Sequence, residues 1–265
     1  MKKLLRTNWA LVLYSWKDFV EYRGYMVFWI ILESLGFFVM YFLWMFIYKK
    51  NDMVAGFSLS SMITYYFVVY IIKEFTVSYY DWNVIKKIRT GDFAHFLYRP
   101  LGSFRYYFFK NVGEKAIRIV LSVPILGGMI WLLRDYFLWP QNTWMFLLSL
   151  LISFLLICWF TMTLAYVSFW TENGEMFIYF KDSLVYYLSG AMIPLVLFGN
   201  KIAAILSLLP FRYFVSFPVE IYLGKLSNVQ MYQGFGISLA WLTVFVVLEK
   251  YVYRVGVRKF TAVGN

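Results

Sequence analysis

Glu33, Lys73 and Glu74 are charged residues set inside long apolar runs, "FWIILESLGFFVM" and "YFVVYIIKEFTV". Each costs roughly 2.5–3.5 kcal/mol at the centre of a bilayer on insertion scales. Such residues either pair or carry their charge to the interface on a long stem. Glu33 and Lys73 lie at similar distances from the ends of their runs. A buried pair joining the two segments is expected, and two side chains that reach the interface separately are the alternative. Glu114 and Arg118 are spaced i,i+4 and are expected to pair on one helix. Lys181 and Asp182 lie near the end of a further run and are expected to reach the interface. A proton relay through such groups would make a secondary transporter, but no inverted repeat accompanies them.

Other chemistry is sparse. The chain has one cysteine, Cys158, and one histidine, His95. An intrachain disulfide and a cysteine metal site are therefore excluded. His95 sits in a basic segment and reads as a surface residue. There is no HExxH, GxSxG or CxxC, and no GxxxxGK[ST] phosphate loop. No catalytic residue, metal ligand or cofactor is expected in this chain. An intramembrane enzyme built on carboxylates, or a membrane scaffold, stays open beside the secondary transporter.

The elements that position these residues follow from hydropathy. Of 265 residues, 62% are hydrophobic and 15% charged, against about 45–50% and 25% in soluble domains. The net charge of +11 is not a nucleic-acid signature, because the basic residues lie between apolar runs. A spanning helix needs about 20 apolar residues. Six segments qualify, near 25–48, 57–80, 112–133, 143–170, 177–198 and 229–250. The expectation is an all-α integral membrane protein, one domain over 1–265. Pro124 and Pro194 predict kinks in the third and fifth spans.

Basic residues orient the spans. With the N-terminus inside, fifteen Lys and Arg fall in inner segments and six in outer ones. Both termini are thus expected in the cytoplasm. The start, "MKKLLRTNWALVLYSW", is basic then apolar, but Lys17, Asp18, Glu21 and Arg23 follow without a cleavage site. It reads as a retained amphipathic helix on the membrane, over about 1–22.

Two long connections stand out. The outer segment 199–228 holds "IAAILSLL", then Pro210, "FRYFVSF", Pro218 and "VEIYLGK". Apolar runs of about 10–14 residues suit a re-entrant segment better than a span, and bare backbone cannot sit in lipid. Two short helices that dip in and return around Pro210 are expected, with Arg212 and Glu220 near the outer mouth as a candidate pair. An amphipathic helix resting on the surface is the alternative. The inner segment 81–111 sets Ile85, Ile88, Phe93, Phe96 and Leu97 among Lys86, Lys87, Arg89 and Asp92. Thr90-Gly91-Asp92 reads as a helix end and a new N-cap. Arg99-Pro100-Leu101-Gly102 reads as a turn. This is either a docking element for a cytoplasmic partner or a basic loop on anionic headgroups.

In these two segments and in the order and length of its apolar runs, the chain resembles the permease subunits of type-2 ABC exporters, in a six-span branch of about this length. "IRTGDFAHFLYRPL" is similar to their cytoplasmic turn after the second span, and "LPFRYFVSFPVEIYLG" to the segment before their last span. The resemblance implies an N-terminal surface helix, a coupling helix over 84–97 and an outer re-entrant hairpin within 199–228. It implies that Ile88, Arg89, Gly91, Asp92, Phe93, Arg99 and Pro100 couple to the ATPase. Pro210, Phe211, Arg212, Phe217, Pro218 and Glu220 would belong to an outer gate. It implies two separate ABC ATPase subunits, with ATP and Mg bound there, and a second permease, identical or related. The setting would be a bacterial-type inner or plasma membrane. An importer is disfavoured, because the inner loop "TENGE" is too short for an importer's docking loop.

Overall fold

The computed structural model describes residues 2–98, 101–171 and 173–260. All of its regular elements are helices: α1 (Lys2–Ile47), α2 (Leu59–Thr76), α3 (Tyr80–Arg89), α4 (Ala94–Tyr98), α5 (Ser103–Leu132), α6 (Thr143–Tyr166), α7 (Glu175–Leu188), α8 (Asn200–Leu208), α9 (Ser216–Tyr222) and α10 (Asn228–Val257), with three short 3₁₀ turns. Four stretches are long and apolar enough to cross a membrane: Arg23–Ile47, Ser103–Leu132, Thr143–Phe169 and Asn228–Val257.

The two remaining expected spans differ for physical reasons. α2 has 18 residues, which rise about 27 Å. It is nonetheless the central helix, buried on nearly every face. Protein surrounds it, so it tolerates Ser61, Thr64, Lys73 and Glu74 where a lipid-facing helix would not. α7 has only 14 residues. It does not run on to Pro194. It stops at Leu188, and Gly190 turns the chain at φ +87°. A Cβ there would lie 2.8 Å from the Tyr65 hydroxyl and 3.0 Å from the Ser216 Cβ, so glycine serves both the positive φ and the close approach.

The N-terminal segment is not a separate helix. α1 is continuous from Lys2 to Ile47; this stretch contains no proline, and an internal glycine such as Gly24 costs only about 1 kcal/mol. Its first half lies along α5. The Asn8 side-chain oxygen accepts from Arg105 Nε at 2.7 Å, and Ser15 Oγ donates to the Lys110 carbonyl at 2.8 Å. Gly113 lets the backbones meet, because a Cβ would stand 2.6 Å from the Val12 carbonyl.

Two hydrophobic clusters hold the bundle. The larger joins α2, α6, the 3₁₀ turn 210–214, α9 and α10. The smaller lies at the opposite end of the bundle, around Tyr80, Ile85, Phe93, Tyr166 and Phe169. We call these the hairpin end and the elbow end.

Candidate functional site

At the elbow end, α3 is capped as its sequence suggests. Helix geometry stops at Arg89, Gly91 takes φ +80°, and the Phe93 amide donates to the Lys87 carbonyl at 2.9 Å. The Asp92 carboxylate accepts the Thr90 hydroxyl at 2.9 Å and so closes the turn. Phe93 is fully buried, with the rings of Phe96, Tyr166, Phe169 and Phe260 at centroid distances of 5.1–6.2 Å. Ile88 is buried as well. These two anchor the elbow from within, while Arg89, Asp92, His95, Leu97 and Tyr98 face outward. Arg99 and Pro100 lie outside the described residues. Arg89 reaches Glu175 at the start of α7, at 3.0 Å. Asp81, in the first turn of α3, makes a buried ion pair with Lys181 of α7. Lys181 was expected to reach the interface; it is buried because Asp81 supplies the opposite charge in place. α3 is thus fastened twice to α7.

At the hairpin end, α8 and α9 flank Pro210 and the 3₁₀ turn Pro210–Phe214. The Tyr222 ring sits 5.1 Å from Phe146, Ser153 Oγ donates to the Phe214 carbonyl at 2.5 Å, and the Phe160 ring meets Phe211 at 6.0 Å. From Phe146 to Phe160, α6 rises about 21 Å, so the segment follows α6 over that depth. Phe217 and Pro218 are buried. Arg212 and Glu220 do pair, at 2.6 Å, and Glu220 also accepts from Ser216 Oγ at 2.8 Å. Partial burial lowers the pKa of Lys225, just beyond α9, whose ammonium donates to the Gly56 carbonyl at 2.7 Å.

Breaking α7 frees backbone groups in the interior, and each of those named next has a donor or acceptor waiting. The Ser189 carbonyl takes the Ser216 amide at 2.9 Å, the Gly190 carbonyl the Tyr65 hydroxyl at 2.7 Å, and the Met192 carbonyl the Tyr66 hydroxyl at 2.8 Å. Adjacent tyrosines on α2 therefore satisfy the break, which meets the requirement that buried polar backbone be paired.

The intramembrane charges meet differently from the expected pairing. Glu33 does not pair with Lys73. Its carboxylate takes Arg118 Nη2, and the same guanidinium holds Glu74, with Nε at 2.6 Å from Oε2. Tyr79 adds a hydroxyl to Glu33 at 3.3 Å. Arg118 prevails because its forked donors serve two carboxylates at once and α5 packs against both α1 and α2. Lys115, one turn earlier, donates to the Val77 and Glu74 carbonyls at the end of α2, where a cation also suits the helix dipole. Spacing ties Arg118 to Glu114 on its own helix; what spacing does not reveal is that Arg118 holds two carboxylates from other helices.

Beside this cluster, α1, α2 and the end of α7 line an open groove of about 280 Å³. Its walls carry Glu33, Phe37 and Met40 from α1, Tyr66, Val69, Tyr70 and Lys73 from α2, and Tyr186. The Lys73 ammonium stands over the Tyr186 ring, 5.5 Å from its centre.

Apolar spans, a broken helix with its backbone satisfied internally and an ion cluster held between helices define a multi-pass membrane protein. The chain belongs to the ABC-2 family of transporter proteins, whose family model matches residues 35–264. The match takes in the elbow, the hairpin, Lys73, Glu74 and Arg118. It makes the chain a membrane component of an ABC transporter, a multi-pass protein whose part is transport rather than catalysis. No curated protein and no solved structure matches the chain.

Proposed function

We propose that this chain is the membrane-spanning subunit of an ATP-driven exporter that works with two separate ATPase subunits and a second permease. The six crossings would be α1, α2, α5, α6, the broken α7 with its continuation to Phe198, and α10. Both termini would lie in the cytoplasm, and the hairpin would re-enter from the outer face. ATP and Mg would bind to the partner, since this sequence has no phosphate loop. The path would run beside α1, α2 and α7, and the hairpin would form part of the exit gate.

The observation that carries this reading is the construction of the elbow. A charged outer face, with Arg89 and Asp92, is mounted on a fully buried Phe93 and tied to α7 by Asp81–Lys181 and Arg89–Glu175. A push on that face is passed to α6 and α7 without being absorbed by a loose loop. A loop serving only to bind headgroups has no need of such an anchor.

Two experiments test this. Tagged chain, gently solubilised from native membranes, should retain an ATPase subunit identifiable by mass spectrometry. A chain recovered alone would favour a secondary transporter or membrane enzyme. In the assembled complex, Arg89→Ala with Asp92→Ala should reduce transport per ATP hydrolysed by about ten-fold, the effect of losing one strong interface contact, with the folded yield unchanged. Undiminished coupling would remove the docking role.

A further inference from the structure

The groove beside the ion cluster holds a charge, Lys73, that no carboxylate of the cluster pairs with directly. Arg118 meets both Glu33 and Glu74, and Lys115 is spent on carbonyls at the end of α2. Among the described residues Lys73 has no carboxylate within ion-pair distance; Glu33, on the facing wall and already held by Arg118, attracts it only at longer range, and its ammonium stands over the face of Tyr186. A partly buried ammonium over an aromatic ring gains from an anion, because an ionised pair is stronger where the groove walls shield it than in bulk water.

The groove is also graded along its length. α1 and α2 run in opposite senses, so Glu33 and Lys73 lie toward the elbow end, while Met40 and Tyr66 lie toward the hairpin end. Away from Lys73 the walls become Phe37, Met40, Val69 and Ala191. Met40 can bend to fit a flexible guest. The volume of about 280 Å³ is at the small end for ligand sites, which run from roughly 300 to 1,000 Å³. That suits one extended chain better than a fused-ring compound or a two-chain lipid.

We propose that the groove binds a single-chain amphiphile with an anionic head, the head on the Lys73 ammonium and the chain along Phe37, Met40 and Val69. This names the class of transported substrate, and to that extent it rests on the permease reading.

The test uses the full chain in phosphatidylcholine nanodiscs and displacement of a bound fluorescent fatty acid. Laurate should displace the probe at a concentration about ten-fold or more below methyl laurate or dodecyltrimethylammonium, the gain of one charge-assisted contact. Lys73→Met should abolish that preference, and Lys73→Arg should keep it. Equal displacement by all three compounds overturns the proposal, whether or not the variants fold. So does a preference for the cation, or a laurate preference that survives in a folded Lys73→Met. Phosphatidylglycerol competing as well as laurate overturns it in favour of an ordinary lipid site. Capture of the ATPase is scored separately. An ATPase partner without charge preference sinks this inference alone; charge preference without an ATPase sinks the permease reading and leaves the site.

Discussion

Arg118→Met is expected to be the most destabilising single change in the membrane region. It leaves Glu33 and Glu74 facing each other without a cation, and the Glu74 side chain is only 2% exposed. Removing one partner of a buried ion pair costs about 3–5 kcal/mol, because the remaining charge stays desolvated. Glu33 is 26% exposed, so its share is smaller. Thermal unfolding of the purified chain in detergent should show a large fall in midpoint and a loss of monodisperse protein. Arg118→Lys should recover only part, since an ammonium lacks the fork that serves both carboxylates. Combining Arg118→Met with Glu33→Gln and Glu74→Gln should restore much of the stability, because no buried carboxylate is then left without its guanidinium, and Lys115 keeps the Val77 and Glu74 carbonyls. A single variant as stable as the parent would show that the three side chains are solvated, and the cluster would lose its structural role.

Gly234→Ala should have the second largest effect. The Phe217 ring lies directly on Gly234, and an added Cβ would be 2.1 Å from the ring edge. Tyr213 and Phe235 hold that ring at 5.3 Å each, so it has no room to step aside. Overpacking of a filled interior typically costs about 1–3 kcal/mol, and here the strain falls on α9. The expected result is a lowered unfolding midpoint with transport impaired beyond the loss of folded protein. Adding Phe217→Leu should relieve both. If Gly234→Ala alone behaves like the parent, α9 is free to shift and the seat of Phe217 is not fixed.

What could be read from the sequence depended on how local its cause was. The four long apolar helices are legible because each is an unbroken apolar run longer than a bilayer requires, whether it is largely exposed on the bundle, as three of them are, or largely buried, as α6 is. The turn at Gly91 is legible because its signal is three adjacent residues, and the Arg212–Glu220 pair because these are the only two charges in the apolar stretch from Pro210 to Gly224. Arg118 was missed as the hub because nothing in the spacing shows that α5 lies against both α1 and α2. The break in α7 was assigned to Pro194 because proline's effect is visible without a fold. The break at Gly190 depends on Tyr65 and Ser216, which only tertiary structure brings there. Phe93 and Ile88 were grouped with the docking residues because an amphipathic pattern identifies two faces without telling which one a partner sees.

The satisfaction of the hairpin by its neighbours has a consequence for biosynthesis. The Leu208 carbonyl takes its hydrogen bond from Trp241 Nε1 at 2.8 Å, and Phe217 rests on Gly234. Both partners belong to α10, which leaves the ribosome after the hairpin, since synthesis runs from the N-terminus. While the chain is still being made, residues 200–222 have α2 and α6 on one side and no lid on the other. Insertion of the last helix is therefore the event that locks the hairpin end of the bundle. A nascent chain stalled before Trp241 lacks the cover of the hairpin end, and lacks as well the Tyr253 and Phe260 rings that close the elbow on Phe93.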